Sequence, residues 1–224
     1  MPTTASAAST DVFVPPSRDC DGCPRLVEFR QRHRAAFADW HNAPVPSFGP
    51  LDARLLIVGL APGLRGANRT GRPFTGDYAG DLLYSTLLAF GFAEGVYRAD
   101  PNDSLTLKDA RIANAVRCVP PENKPLPAEF TTCRPFLRSE IAAMPNLRVF
   151  VALGKGAHDQ ALRTLGVKSL ARYPFVHGRL HELPDGRVLA DSYHCSRYNT
   201  NTGRLTEAMF HDVFRAVADR LRHA

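Results

Sequence analysis

Two kinds of hydrophobic pattern alternate along the chain. Short runs of consecutive apolar residues, typical of strands buried on both faces, occur at 54–58, 111–116 and 147–153. Two further strand-like runs flank a Pro-Asp-Gly turn within residues 181–194. Between these runs lie segments in which apolar residues recur every three or four positions, which is the helical period.

The periodic segments predict five helices. They fall at 25–40, 77–90, 128–144, the stretch after Gly154, and 204–224. Asp77 suits the N-cap of the second helix, and Pro135 predicts a kink in the third. Strands that alternate with helices predict an α/β fold with a parallel sheet covered by helices on both faces. Ligands of such folds bind at the carboxyl ends of the strands.

Length and charge narrow the class of protein. The 224 residues fit one domain with a substantial core, which we place at 19–224 after a flexible tail at 1–18. The tail lacks the pattern of a signal peptide, and no apolar run approaches a membrane span, so we expect a cytoplasmic protein. The formal net charge of +6 favours an anionic partner such as nucleic acid, although charge alone is a weak signal.

Four of the five cysteines form a candidate metal site. Cys20 and Cys23 make a CxxC pair, and Cys118 and Cys133 are a second, more widely spaced pair. Zinc and an iron–sulfur cluster both accept four thiolates, so the spacing does not separate them. Four unrelated buried cysteines are the alternative. A metal here would tie the N-terminal segment to residues 118–133 in a structural role.

Polar residues follow three of the predicted strands. The glycine-rich loop 59–77 contains neither a phosphate-binding nor a dinucleotide-binding motif, but its glycines allow close approach to a ligand. Within it, Phe74 either fills the core or offers a platform for a planar ring. Asn114 either satisfies neighbouring backbone or reads the edge of a base. His194 stands at a strand end, where a site histidine is expected.

Four motifs together resemble the uracil-DNA glycosylase superfamily, and most closely its family five, the broad-specificity iron–sulfur branch. They are GLAPG at 59–63, GANRTGRPFTGDYAG at 66–80, NAVRC at 114–118 and HCSRYNTNTGRLT at 194–206. The resemblance covers about residues 18–222. It implies a three-layer α/β/α sandwich with a central four-stranded parallel sheet.

The resemblance also implies roles for individual residues. Phe74 matches the aromatic residue that stacks on a flipped uracil, Asn114 the amide that reads its edge, and His194 the histidine that supports charge on the leaving base. Four residues of the first motif would contact the substrate: Gly59, Leu60, Ala61 and Gly63. Four residues match the ligands of a 4Fe–4S cluster: Cys20, Cys23, Cys118 and Cys133.

The loop after His194 matches the segment that enters the DNA minor groove in this superfamily. Together with the arginines of the second motif, it supplies the residues that we expect to bind DNA. They are Arg69, Arg72, Ser196, Arg197, Tyr198, Asn199 and Arg204.

The first motif departs from related families at its carboxylates. Leu60 stands where family four has Glu, and Ala61 stands where the original uracil enzymes have a water-activating Asp. Asp77 is the nearest carboxylate in a matching motif, so we assign it as the residue that positions water or stabilises charge. Cys195 replaces a proline common in the superfamily, and we treat it as a bystander.

The sequence therefore predicts a monomeric, monofunctional uracil-DNA glycosylase that leaves an abasic site in DNA. The resemblance also implies that hypoxanthine and other deaminated bases are substrates, because the pocket lacks the first-motif carboxylate. Loss of both familiar carboxylates motivates an alternative, a non-catalytic iron–sulfur protein that binds DNA damage or senses redox state. A nucleotide-binding enzyme is a third hypothesis, disfavoured because the loop lacks the phosphate-binding lysine.

Overall fold

A five-stranded sheet forms the centre of the protein in a computed structural model that describes residues 13–223. The strands are β1 (Leu55–Gly59), β4 (Ala110–Asn114), β5 (Val149–Leu153), β6 (Leu180–Glu182) and β7 (Val188–Ser192), with a small separate hairpin of β2 (Ala93–Glu94) and β3 (Thr106–Leu107). The order across the sheet is β4-β1-β5-β7-β6. Four neighbouring strands are parallel, as predicted, and β6 adds an antiparallel edge to β7.

The helices cover both faces of this sheet. They are α1 (Pro24–Ala36), α2 (Ala67–Thr70), α3 (Tyr78–Ala89), α4 (Pro127–Ala142), α5 (Lys155–Thr164), α6 (Arg197–Asn201) and α7 (Glu207–Arg222), with short 3-10 turns at Pro121–Asn123 and Leu170–Arg172. Successive side chains of a strand point to opposite faces, so Ile57 packs towards α3 and α7 whereas Val58 packs towards α4 and α5. The three-layer arrangement is therefore confirmed.

Helix α1 is shorter than the sequence predicts, for a local reason. Helix α1 ends at Ala36, so Trp40 lies beyond it. The side-chain amide of Asn42 donates to the carbonyls of His33 and Phe37, which satisfies the helix end and turns the chain. Helix α4 continues through Pro135 from Pro127 to Ala142.

Residues 1–12 of the predicted flexible tail lie outside the described residues. Within 13–223, none of the helices combines the length and the apolar character needed to cross a membrane.

Candidate active site

A cleft of about 650 Å³ opens where the parallel strands β1 and β4 and the loop after β7 end. This is the edge at which a parallel sheet is expected to bind its ligand. The structure brings nine of the predicted site residues to its walls: Leu60, Ala61, Gly63, Phe74, Asp77, Asn114, His194, Ser196 and Arg197.

Phe74 lies in this cleft with its backbone in the left-handed region, at φ 52°. That conformation costs energy for a residue with a side chain, and such strain is common at functional sites. The carbonyl of Phe74 accepts a hydrogen bond from Tyr97, and its ring lies 5.9 Å from that of His194 between centroids. Only 8% of Phe74 is exposed, so it packs into the core and still presents ring surface to the cleft.

Asn114 ends β4 and is paired in register with Gly59, the last residue of β1. Its side chain is buried, and within residues 13–223 its Oδ1 has no hydrogen-bond partner. An unpaired buried acceptor is costly, which points to a ligand or water that donates to it. Gly59 does not line the cleft itself but supports it from below: a Cβ there would lie 2.3 Å from Asn114 Oδ1 and 2.9 Å from Phe74 Cζ.

Replacing Gly59 with alanine should therefore displace Asn114 and Phe74 without unfolding the protein. We expect the rate of the reaction in this cleft to fall by about 100-fold, since small misplacements of reacting groups have effects of this size. Single-turnover kinetics together with circular dichroism measure the two consequences separately. A folded Gly59→Ala protein with the wild-type rate would show that this close packing does not position the site.

Asp77 lies just before α3, at the N-cap position, but its side chain makes no capping hydrogen bond. The carboxylate sits against the backbone of the glycine-rich loop, and a Cβ at Gly66 would lie 2.3 Å from its Oδ2. Its Oδ1 is buried without a partner among residues 13–223. Burial raises the pKa of Asp77. This carboxylate can therefore accept a proton more readily than an exposed one.

His194 faces Phe74 from the loop after β7. Burial lowers the pKa of its imidazole to about 4, so the ring is neutral at physiological pH. Asn199 donates its side-chain amide to the backbone carbonyl of His194 at 2.8 Å. Asn199 is also one of the residues predicted to bind DNA, and this contact lets it position the His194 backbone. A neutral imidazole offers a hydrogen bond to charge that develops in the cleft.

The segment after His194 forms the rim of the cleft. Ser196 caps α6 by accepting from the backbone of Asn199. The guanidinium of Arg197 lies 5.2 Å from the ring centre of Tyr78, and the Tyr198 side chain projects outward with 71% exposure. Arg204 packs over Tyr193 at 4.7 Å, away from the cleft walls.

The two arginines of the second motif differ in accessibility. Arg69 is exposed, whereas Arg72 is buried and forms a bidentate pair with Asp103 at 2.7 and 2.8 Å. The guanidinium of Arg72 also lies near the rings of Tyr84 and Tyr97. The prediction that Arg72 binds DNA is therefore wrong, because its donors are used inside the protein.

Sequence reasoning missed three polar or aromatic residues of the cleft, Arg65, Tyr78 and Asn123. Asn123 and the preceding Glu122 both have positive φ, at 56° and 54°. This strained turn places Asn123 at the cleft wall. The polar run after β4, at the carboxyl edge of the sheet, was the available signal.

The four predicted cysteine ligands line one small cavity among α1, α4 and the segment after β4. Within residues 13–223, no three of their sulfur atoms lie within 4.8 Å of one another. The distance from a zinc ion to each sulfur is about 2.3 Å, so the sulfurs around a single zinc lie close together. A four-iron cube spreads its thiolates further apart. Arg117 donates its backbone N–H to Cys133 Sγ at 3.4 Å, and Arg30 approaches Cys118 Sγ at 3.7 Å. Four cysteines that line one cavity are a donor set that can hold a metal centre.

The fifth cysteine, Cys195, is fully buried. Burial raises the pKa of its thiol, which keeps it protonated and unreactive.

A buried polar network fixes the strand that leads to His194. Asp191 in β7 accepts from Nδ1 of His158 at 2.6 Å, from Nε2 of His181 at 2.9 Å and from the backbone of Val176 at 3.1 Å. The other nitrogen of His158 faces the carbonyl of Tyr173 at 2.8 Å. Through these hydrogen bonds, His158 joins α5 to strand β7, and Val176 joins the loop before β6 to the same strand.

Asp191→Asn should destabilise the fold by about 3 kcal/mol, since it removes a buried carboxylate and leaves its donors poorly matched. Urea unfolding measures the change. Asp185→Asn is a matched control in the same hairpin, because the Asp185 side chain is about half exposed and pairs only with nearby Arg187. Equal midpoints for the two variants would contradict the structural role of the network.

Comparisons with known proteins agree with this geometry. Residues 46–218 match the model of the uracil DNA glycosylase superfamily. A type-5 uracil-DNA glycosylase of Thermus thermophilus is 45% identical over 91% of this chain and 94% of its own. A protein of the same name from Mycobacterium leprae is 45% identical over 88% of this chain and 89% of its own. Another, from Pyrobaculum aerophilum, is 39% identical over 93% of this chain and 92% of its own.

Proposed function

This chain belongs to the uracil-DNA glycosylase superfamily, and we propose that its cleft excises uracil from DNA by hydrolysis of the N-glycosidic bond. The observation that carries this conclusion is an arrangement of four side chains around one cleft: Phe74, Asn114, Asp77 and His194. Asn114 and Asp77 each have a buried oxygen without a hydrogen-bond partner among the described residues. The enzyme acts in DNA repair and leaves an abasic site. The target base leaves the stack to enter the cleft, as such chemistry requires.

Base recognition rests on the unpaired Oδ1 of Asn114. Uracil presents an N3–H donor to this acceptor, and its O4 accepts from the amide nitrogen of the same side chain. Cytosine presents an acceptor at N3 and a donor at its exocyclic amine, which the same amide orientation repels. Hypoxanthine carries an N–H beside a carbonyl, as uracil does, and is therefore included among the proposed substrates.

The chemistry proceeds by departure of the base. The bond between C1′ and N1 breaks, and its electron pair leaves with the uracil while positive charge develops on the sugar. Neutral His194 and backbone N–H groups of the 59–63 loop stabilise the uracil anion. Water, oriented by Asp77, adds to C1′ and passes its proton to that carboxylate. No lysine lines the cleft among the described residues, which supports a monofunctional enzyme.

We propose that the rim of the cleft binds DNA. Arg65 and Arg197 are exposed there and supply positive charge to the backbone, while exposed Tyr198 is the side chain that enters the duplex. Binding at these positions should weaken as salt rises.

We also propose that Cys20, Cys23, Cys118 and Cys133 hold a 4Fe–4S cluster. Their shared cavity supports this assignment, since a 4Fe–4S cluster is held by four cysteine thiolates. The cluster ties α1 to the start of the loop that carries Asn123, and it takes no part in the chemistry.

Four duplexes that differ only in one target base test the proposal. We expect strand breaks after alkali treatment with uracil and hypoxanthine, and intact strands with cytosine. Thymine presents the same N3–H and O4 edge as uracil, so its result separates recognition of that edge from exclusion of the methyl group. Intact uracil strands from folded, iron-loaded protein would contradict the proposed enzyme. Equal excision of cytosine would contradict the role of Asn114.

A further inference from the structure

One buried arginine in the described part of the chain lacks the carboxylate that the others have. Arg72 pairs with Asp103, and Arg111 and Arg117 share Glu140. Arg30, on α1, is only 4% exposed, yet no carboxylate oxygen within residues 13–223 forms an ion pair with it.

The contacts of Arg30 all lead to the cysteine site. Its Nη2 donates to the carbonyl of Cys20 at 2.9 Å, and its Nη1 lies 3.7 Å from Cys118 Sγ. Its Nε is buried without a partner among the described residues. The charge of Arg30 also acts on Asp19, but that carboxylate is exposed and is bonded to Arg34 at 2.6 Å.

A buried guanidinium without a counter-charge is strongly unfavourable. Four neutral thiols would not supply one, whereas four thiolates around an iron–sulfur core would carry net negative charge. We propose that Arg30 is the counter-ion of the cysteine site and donates a charge-assisted hydrogen bond to the Cys118 thiolate. This inference rests on the proposed cluster and extends it to the residue that stabilises its charge.

Two consequences follow from the position of this cation. Reduction adds negative charge to a cluster, so a nearby cation stabilises the reduced form and raises the reduction potential. The N–H···S contact also holds Cys118 in its ligating geometry, which slows loss of iron. Removal of the charge should lower the potential and accelerate iron release.

The test compares Arg30→Gln, Arg30→Lys and the control Arg32→Gln in the iron-loaded protein. Arg32 lies on the same helix, but it is exposed and pairs with Glu28. We expect Arg30→Gln to lower the potential and to release iron to a chelator about tenfold faster than wild type, the size of one charged hydrogen bond. Arg30→Lys keeps the charge, so its potential should stay near that of wild type.

Four outcomes overturn the proposal. Arg30→Gln could match the control in potential and iron release, or Arg30→Lys could shift the potential as far as Arg30→Gln. If Arg30→Gln does not fold, the lysine variant decides alone. A reduction potential of Arg30→Lys well below that of wild type would contradict the proposal. Wild-type protein that contains zinc and no acid-labile sulfide would overturn both the proposed cluster and this inference. Measurement of uracil excision by the same protein would then test the proposed function independently.

Discussion

Asp77→Asn is expected to slow uracil excision by about 1,000-fold, which is within the usual contribution of a positioned proton acceptor. Asparagine keeps the size of the side chain but cannot accept the proton of the attacking water. In the wild-type enzyme, the rate should fall with decreasing pH as Asp77 becomes protonated. This fall should occur at a higher pH than for an ordinary aspartate, because the pKa of Asp77 is raised. The variant should lack this acid limb.

Stability provides an independent readout of the same substitution. A carboxyl group whose pKa is raised on folding destabilises the folded state at neutral pH, where it is charged, and the penalty disappears at low pH. Asp77→Asn should therefore unfold at a higher urea concentration than wild type at neutral pH while it loses activity. A variant that loses both stability and activity would indicate a structural role.

Asp81 offers a matched control on the same helix. It is exposed, and its charge helps to raise the pKa of Asp77. Asp81→Asn should keep the rate at neutral pH and move the acid limb to lower pH. Measurement of single-turnover rates across the acid range distinguishes these outcomes, and loss of neutral-pH activity in Asp81→Asn would contradict the assignment to Asp77.

His194→Ala is expected to lower the rate by about 100-fold, as removal of one donor to a developing anion does in other enzymes. The defect should be smaller with 5-fluorouracil, because fluorine stabilises the departing anion and reduces the need for a donor. His194→Gln, which keeps an N–H group, should retain part of the rate. Single-turnover excision with both bases measures these differences.

An equal defect with uracil and 5-fluorouracil would contradict a role of His194 in stabilising the leaving base. The affinity of His194→Ala for uracil-containing duplex should remain near that of wild type, because the main effect is on bond breaking. A large loss of binding with an unchanged chemical step would assign the residue to recognition instead.

Local sequence pattern predicted the parallel strands and helix α7 well. Continuous apolar runs such as that of β5 are buried on both faces, and the four-residue repeat of α7 covers one face of the sheet. The strand-like runs on either side of the Pro-Asp-Gly turn correspond to β6 and β7. The pattern did not show that β6 joins the central sheet as an antiparallel edge, since a three-residue strand carries little periodic signal.

The candidate site was predictable where motif residues sit directly at strand ends, as Asn114 and His194 do. The prediction from sequence failed for Arg72, because Asp103, the residue with which this buried side chain pairs, lies far along the chain. Arg30 was missed for the same reason, since its environment depends on cysteines from three separate segments. Long-range pairing decides whether an arginine faces DNA or the interior.

Direct analysis of the products tests the central claim, that this cleft hydrolyses the N-glycosidic bond of uracil. Wild-type protein and a duplex with a single uracil should yield free uracil and an abasic strand in equal amounts, with the strand intact until alkali is added. Duplex that is bound but retains its uracil would contradict the account and favour a non-catalytic damage-binding protein. Strand scission without alkali would contradict the monofunctional mechanism.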